Sequence, residues 1–376
     1  MSQRYLAGFI QAGLFNPLAA PTPSAYTYEL WSWGDDVFGQ LGLGNVTAYS
    51  SPKQVGALTT WLNIASGGYH SIATKTDGTL WSWGDNAIGA LGLGNITNYS
   101  SPKQVGALTT WLNIAAGYRY SIATKTDGTL WSWGRNNSGQ LGLGNTTNRS
   151  SPVQVGALTT WSKIACGFYS TFATKTDGTL WSWGRNNFGQ LGLGNLTYYS
   201  SPKQVGALTT WLKIACGSYH TLATKTDGTL WSWGNNDYGQ LGLGNITNRS
   251  SPVQVGALTT WLNIACGRYH TLATKTDGTI WSWGQNTSGQ LGLGNTTNRS
   301  SPVQVGALTT WSKIACGFYS TVATKTDGTL WSWGYNLQGQ LGLGNTTNYS
   351  SPKQVGALTT WSTIACGFYH TIALKY

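Results

Sequence analysis

Acidic residues are scarce in this chain. It carries 11 Asp and Glu against 22 Lys and Arg, and its single glutamate is Glu29. Charge of either sign is thin, at 9% of residues, and no run of Lys or Arg exists. The net charge of +11 is therefore dispersed. Dispersed positive charge keeps an aromatic-rich surface soluble, and it also favours anionic partners. Sequence-specific nucleic-acid binding is not expected, because no basic cluster supports it. Cysteine is limited to five residues, an odd number, all at one position of a repeat. A disulfide framework would show paired spacings. No stretch approaches the roughly 18 apolar residues of a membrane-spanning helix. No helical apolar period of useful length follows residue 26.

Glycine and tryptophan are abundant instead, at 51 and 21 residues. Trp-Ser-Trp-Gly recurs at Trp31, Trp81, Trp131, Trp181, Trp231, Trp281 and Trp331, always 50 residues apart. Seven units fill the chain: 27–76, 77–126, 127–176, 177–226, 227–276, 277–326 and 327–376. Residues 1–26 stand outside the repeat as an N-terminal arm.

Within a unit every local signal is β. Leu80-Trp81-Ser82-Trp83 reads as a strand with both Trp on one face. Ile72–Thr76 and Trp61–Ala65 read as two more strands, and Pro52 precedes a short fourth at Gln54-Val55. Asp77-Gly78 reads as a type I′ hairpin turn. Gly39–Asn45 reads as a loop shaped by glycine. Seven equal β units suit a closed propeller, since a solenoid needs distinct caps. Asp-Gly turns occur at Asp77, Asp127, Asp177, Asp227, Asp277 and Asp327, and the seventh is missing. The strand at His370–Lys375 is therefore expected to pair with that at Tyr28–Trp33, closing the ring and removing two sheet edges. The expectation is an all-β, seven-bladed propeller with about four antiparallel strands per blade. Its Trp residues are expected in the core.

Trp83-Gly84-Asp85-Asn86, with Gly89, Leu91-Gly92 and Gly94, resembles the regulator-of-chromosome-condensation repeat. So does the run from Ile214-Ala215-Cys216-Gly217 to Ala223. The resemblance covers residues 27–376 and implies the same seven-bladed propeller. Members of that family include exchange factors for the GTPase Ran, a plant photoreceptor of UV-B and scaffold modules. The exchange factors rely on acidic surface and inserted loops, which this chain lacks. The photoreceptor resemblance would need Gly-Trp-Arg-His-Thr, where this chain has Gly167-Phe168-Tyr169-Ser170 and Gly267-Arg268-Tyr269-His270. Exchange activity and photoreception are accordingly not expected.

Nor is catalysis. His70, His220, His270 and His370 share a register position that elsewhere holds Tyr or Ser. Cys166, Cys216, Cys266, Cys316 and Cys366 lie 50 residues apart, without the close spacing of a metal site. They read as buried structural thiols. No cofactor and no metal are expected.

The units differ at few places. One variable set follows the Trp-Ser-Trp-Gly strand and includes Asp35, Phe38, Ile88, Arg135, Arg185, Phe188, Tyr238, Gln285 and Tyr335. A second includes Arg119, Phe168, Arg268, Phe318 and Phe368. Both read as candidate binding loops, with unconstrained drift as the alternative. A third difference is a paired exchange. Lys53, Lys103, Lys203 and Lys353 accompany tyrosines four residues earlier, whereas Arg149, Arg249 and Arg299 accompany valines. Contact between the two positions, or shared descent of the units, explains the pairing. It gives a ring of seven cations that could meet an anionic glycan or another cell-surface ligand.

The arm has apolar residues at Tyr5, Leu6, Phe9, Ile10, Leu14 and Phe15, broken by Pro17, Pro21 and Pro23. It reads as a tether that orders against a partner protein, and it faintly resembles arms of bacteriophage virion proteins. The lead expectation is a virion decoration or host-attachment protein, at the virion surface or in the host cytoplasm. A bacterial scaffold acting through protein contacts is the alternative, with a lectin or exchange factor behind it. Secretion is not favoured.

Overall fold

In the computed structural model, which describes residues 27–376, seven four-stranded antiparallel sheets form a propeller. Its twenty-eight strands are numbered in chain order. One blade is β3 (Trp61–Ser66), β4 (His70–Lys75), β5 (Leu80–Gly84) and β6 (Tyr99–Gln104), from channel to rim. The blade boundary falls between β2 (Tyr49–Gln54) and β3, so each sequence unit spans the outer half of one blade and the inner half of the next.

The last blade is built from both ends of the chain. Its order is β2, β1 (Glu29–Gly34), β28 (His370–Lys375) and β27 (Trp361–Cys366). Glu29 pairs with Lys375, and the register runs without a break to Gly34 and His370. The expected closure is present.

Side-chain alternation sets the packing. On β5, Trp83 is fully buried and Trp81 half-buried on one face, while Ser82 turns to the other and donates to the Leu91 carbonyl at 2.8 Å. The core lies between blades. Leu30, Ile372 and Leu374 of the closing blade pack with Trp61, Ile64 and Trp83 of the next. A buried Trp hides about 150–250 Å², or roughly 4–6 kcal/mol gross as an upper estimate.

The long loop after each Trp-Ser-Trp-Gly strand ties blade to blade. The Gln40 carbonyl accepts from Trp83 Nε1 and Ser71 Oγ, both at 2.9 Å and both of the next blade. Gln340 does the same across the seam, with Trp33 Nε1 and Thr371 Oγ1 at 3.0 Å.

Two local expectations change. Pro52 lies inside β2 rather than before a strand. The strand is the outermost of its sheet, where a missing N–H breaks no ladder. The Asp77-Gly78 turn is not type I′. Among the described residues only glycines have positive φ, so Asp77 cannot adopt the I′ conformation. Gly78 N–H bonds to Lys75 O and Lys75 N–H to Thr79 O, both at 3.0 Å. That is a three-residue loop with Gly78 in the left-handed region. Asp77 Oδ1 then accepts from the backbone and hydroxyl of Thr79, and Thr79 Oγ1 accepts from Trp81 Nε1.

Candidate functional site

The two variable sets meet on one face. The segment after β1 reaches the loop before β28, where Asp35 N–H donates to Tyr369 O at 2.8 Å. Phe38 packs edge-on against Tyr69 at 5.4 Å, Phe188 against Tyr219 at 5.3 Å, and Tyr238 beside Tyr269 at 5.0 Å. Tyr335 lies 6.0 Å from Tyr369.

Nearer the axis, aromatic rings gather at the channel mouth. Phe168 stacks on Tyr118 at 4.3 Å, Phe318 meets Phe368 at 4.3 Å, and Phe368 lies 5.4 Å from both Tyr118 and Phe168. These side chains line one cavity with Gly67 and Gly117.

Arginines lie over the rings. The Arg268 guanidinium sits 4.4 Å above Phe318 and 5.0 Å from Tyr269, and it bonds to the Tyr319 hydroxyl. Arg135 lies 5.0 Å from Tyr169, and Arg185 bridges Tyr169 and Tyr219 at 5.6 and 5.8 Å. Arg119 pairs with Asp85 at 2.6 Å, an ion pair without hydrogen-bond alignment. Burial raises the phenols of Tyr69, Tyr169 and Tyr269 above their usual range and that of Tyr369 to about 12, so these four remain donors at neutral pH. Most of these side chains, Ile88 included, are half-buried. Asp35 and Gln285 are buried instead and present little to a partner. Asp35 is spent on Gln40, whose amide donates to it at 2.9 Å.

The seven cations do not converge. They lie on the outermost strands, one per blade, around the rim. Lys53 sits 5.3 Å over Tyr49, and Lys103, Lys203 and Lys353 repeat this at 5.4 to 5.5 Å, so the two exchanging positions do touch. The tether residues Tyr5, Leu6, Phe9, Ile10, Leu14 and Phe15 lie outside the described residues.

The histidines clasp blades together. Nε2 of His70 meets Ser121 Oγ at 2.9 Å, and that hydroxyl donates to Ala90 O at 2.9 Å. The hydroxyl proton is thus committed, which makes His70 the Nε2–H tautomer. His220, His270 and His370 repeat this with Thr271, Thr321 and Ser71. Burial lowers all four to about 3, so they stay neutral. The serine and threonine hydroxyls are equally buried, so these pairs are clasps rather than nucleophiles.

The cysteines depart from expectation. They are half-buried and line the channel beneath the aromatic mouth, where the narrow bore raises Cys166 and Cys366 to about 12. They are free thiols, and among the described residues no three His, Cys, Asp or Glu could hold a metal ion.

Comparison with known proteins agrees with this architecture. The regulator of chromosome condensation (RCC1) repeat matches residues 29–74, 77–124 and 327–374. A second description of that repeat matches 111–140 and 311–340, and the RCC1-like domain matches 149–312. The chain belongs to the regulator of chromosome condensation repeat family. Its propeller is similar to that of Prp20p from Saccharomyces cerevisiae, with 22% identity, a TM-score of 0.83, and 94% of this chain and 92% of that chain covered. Prp20p is described for its binding to Gsp1p and histones. Human WBSCR16 is similar at 23% identity and a TM-score of 0.83, over 93% and 98% of the two chains. Yeast RCC1 bound to Kap60 gives 20% and 0.85, over 100% and 96%. At these identities the likeness concerns the fold. No curated protein matches the chain by sequence.

Residues the sequence reading left out complete the site. Tyr118 belongs to the stacked mouth, and the tyrosines at 69, 169, 219, 269, 319 and 369 form the ledge on which the arginines lie. At the second of these positions Tyr is constant in six units, with Arg119 in the seventh.

Proposed function

We propose that this propeller is a non-catalytic binding module that captures a protein partner on its aromatic and arginine face. One observation carries the reading: two of the three variable sets of otherwise near-identical blades gather at a single face around Arg268 and Phe318. Half-exposed Tyr, Phe and Arg, held rigidly by one another, have the composition of interface anchors. A rigid scaffold also keeps the ordering cost of binding low. Prp20p, of like fold, binds proteins. The virion or host-attachment setting rests on residues 1–26 alone, and the propeller adds nothing to it.

The test is cross-linking of the intact chain in its source lysate, followed by mass spectrometry. Partners that cross-link near Arg268 and are lost on Arg268→Ala or Phe318→Ser, but not on Lys53→Ala at the rim, support the reading. Anchors of this kind are worth about 2 kcal/mol or more each, roughly 30-fold in affinity. Equal capture by face and rim variants overturns it.

A further inference from the structure

The channel has a second mouth, on the side of the Asp-Gly turns. The innermost strands place one equivalent residue each toward it: Asn63, Asn113, Lys163, Lys213, Asn263, Lys313 and Thr363. Five of these strands, β11 (Trp161–Cys166), β15 (Trp211–Cys216), β19 (Trp261–Cys266), β23 (Trp311–Cys316) and β27, line a cavity of about 460 Å³. Three lysines border it.

Their Nζ atoms are held in place. Lys163 donates to Leu212 O at 2.6 Å, and Lys213 to Leu262 O at 2.7 Å and Asn263 Oδ1 at 2.8 Å. Lys313 reaches Thr363 Oγ1 at 3.5 Å. An ammonium has three donors, so each keeps at least one free. None meets a carboxylate. Among the described residues, salt bridges join only Arg119 to Asp85 and Lys375 to Glu29. Desolvation lowers all three lysines, and Lys163 lowers Lys213 further by repulsion.

Nothing in the strand requires these charges. Asn occupies the same position in three sister blades and Thr in a fourth, with the same β geometry. Asn113 makes the same inter-strand bond that Lys163 makes, donating to Ser162 O at 3.0 Å. The three lysines therefore add mutual repulsion and desolvation that the fold itself does not offset.

We propose that this mouth binds a small multivalent anion of the phosphate class, gripped by Lys163, Lys213 and Lys313 with Asn263 and Thr363 completing the polar lining. Charges from three strands suit a ligand with several acceptor oxygens and more than one negative charge. Stacked rings crowd the far mouth of the channel, which disfavours long polymers threading through.

Isothermal calorimetry with tripolyphosphate on the intact chain, at 0.15 M salt, tests this. We expect saturable binding at one site per chain, weakened at least 10-fold by joint Lys163→Asn, Lys213→Asn and Lys313→Asn exchange. The triple variant should melt no lower than the parent in anion-free buffer, because it copies three existing blades. Lys53→Asn with Lys103→Asn at the rim should leave binding intact. Should the triple variant not fold, single Lys163→Asn and Lys213→Asn exchanges should each weaken binding. Absence of binding to the parent, or equal binding by lysine-free and parent channels, overturns the proposal.

Discussion

Glu29 and Lys375 meet at 3.1 Å across the seam where the two ends of the chain close the ring. In the six other blades a covalent Asp-Gly turn does this work, and a threonine such as Thr79 accepts from the tryptophan N–H. At the seam the chain's only glutamate takes the threonine's place. It accepts from Trp31 Nε1 at 3.0 Å and binds the lysine of the opposite strand. The Trp31 bond, with Lys375 adding to it, holds the Glu29 carboxyl below its usual range. Its contribution is thus full above pH 4.5 and is lost as pH falls through the lower folded value.

Replacing Glu29 with Ala is expected to cost about 0.2–1 kcal/mol, as for other partly exposed pairs. Hydrogen exchange should reveal it better than melting. Amides of β1 and β28 should exchange faster in Glu29→Ala, whereas Thr79→Ala should leave the corresponding amides of β4 and β5 protected by their covalent turn. Equal effects at both places would show that the ion pair does not secure the seam.

Asp36 is the one carboxylate where the six other blades have Asn. It is fully buried, and its Oδ1 accepts from Leu41 N–H at 2.8 Å while Oδ2 has no partner. Burial, with Asp35 adding repulsion, raises it from 3.8 to about 7. The folded state therefore holds a proton that the unfolded chain releases above pH 4, so stability falls as pH rises from 4 through 7. The full cost above pH 7 is at most about 4 kcal/mol. Asp36→Asn removes it and can also donate to Asn45, as Asn86 does to Asn95. Melting temperatures should show the variant gaining more over the parent at pH 8 than at pH 5. A gain independent of pH would contradict the assignment.

The buried histidines act at the acid end. Each has its folded value near 3, against 6.5 when exposed. Below pH 6.5 the unfolded chain takes up protons that the folded chain refuses. Each histidine then removes about 1.4 kcal/mol of stability per pH unit down to pH 3. Tyr120 shows that a tyrosine fits this position, where its hydroxyl donates to Ser170 O at 2.7 Å. In urea unfolding between pH 7 and 5, His220→Tyr should lessen the loss of stability on acidification. An unchanged pH slope would mean that His220 is protonated in the folded state.

How far the sequence could be read depended on repetition. The 50-residue period and the absent seventh turn made the ring and its closure legible, because topology follows from counting. The exchange of Lys53 and Tyr49 for Val153 and Arg149 exposed a contact for the same reason. The Asp77 turn was misread because Asp-Gly suits two loop geometries, and only the length of strand pairing on each side separates them. Lys163, Lys213 and Lys313 went unnoticed since which strand is innermost is set by blade stacking, not by local pattern. The cysteines were taken as core for that reason too, although they line the channel.

Gly42 and Gly56 separate backbone strain from packing. Both have positive φ, +75° and +62°. At Gly56 an added Cβ meets open space, so alanine there bears only the conformational cost of the left-handed region, about 1–2 kcal/mol. At Gly42 the same atom would lie 2.8 Å from Trp83 Nε1 in the next blade. That indole is fully buried and anchored on the Gln40 carbonyl, so it cannot yield without breaking the tie between blades. Gly42→Ala is thus expected to cost about 1–3 kcal/mol beyond Gly56→Ala, measured by urea unfolding with Trp fluorescence. Equal losses would mean that the loop shifts freely over its neighbour, and that the Gln40 to Trp83 bond does not fix the spacing of the blades.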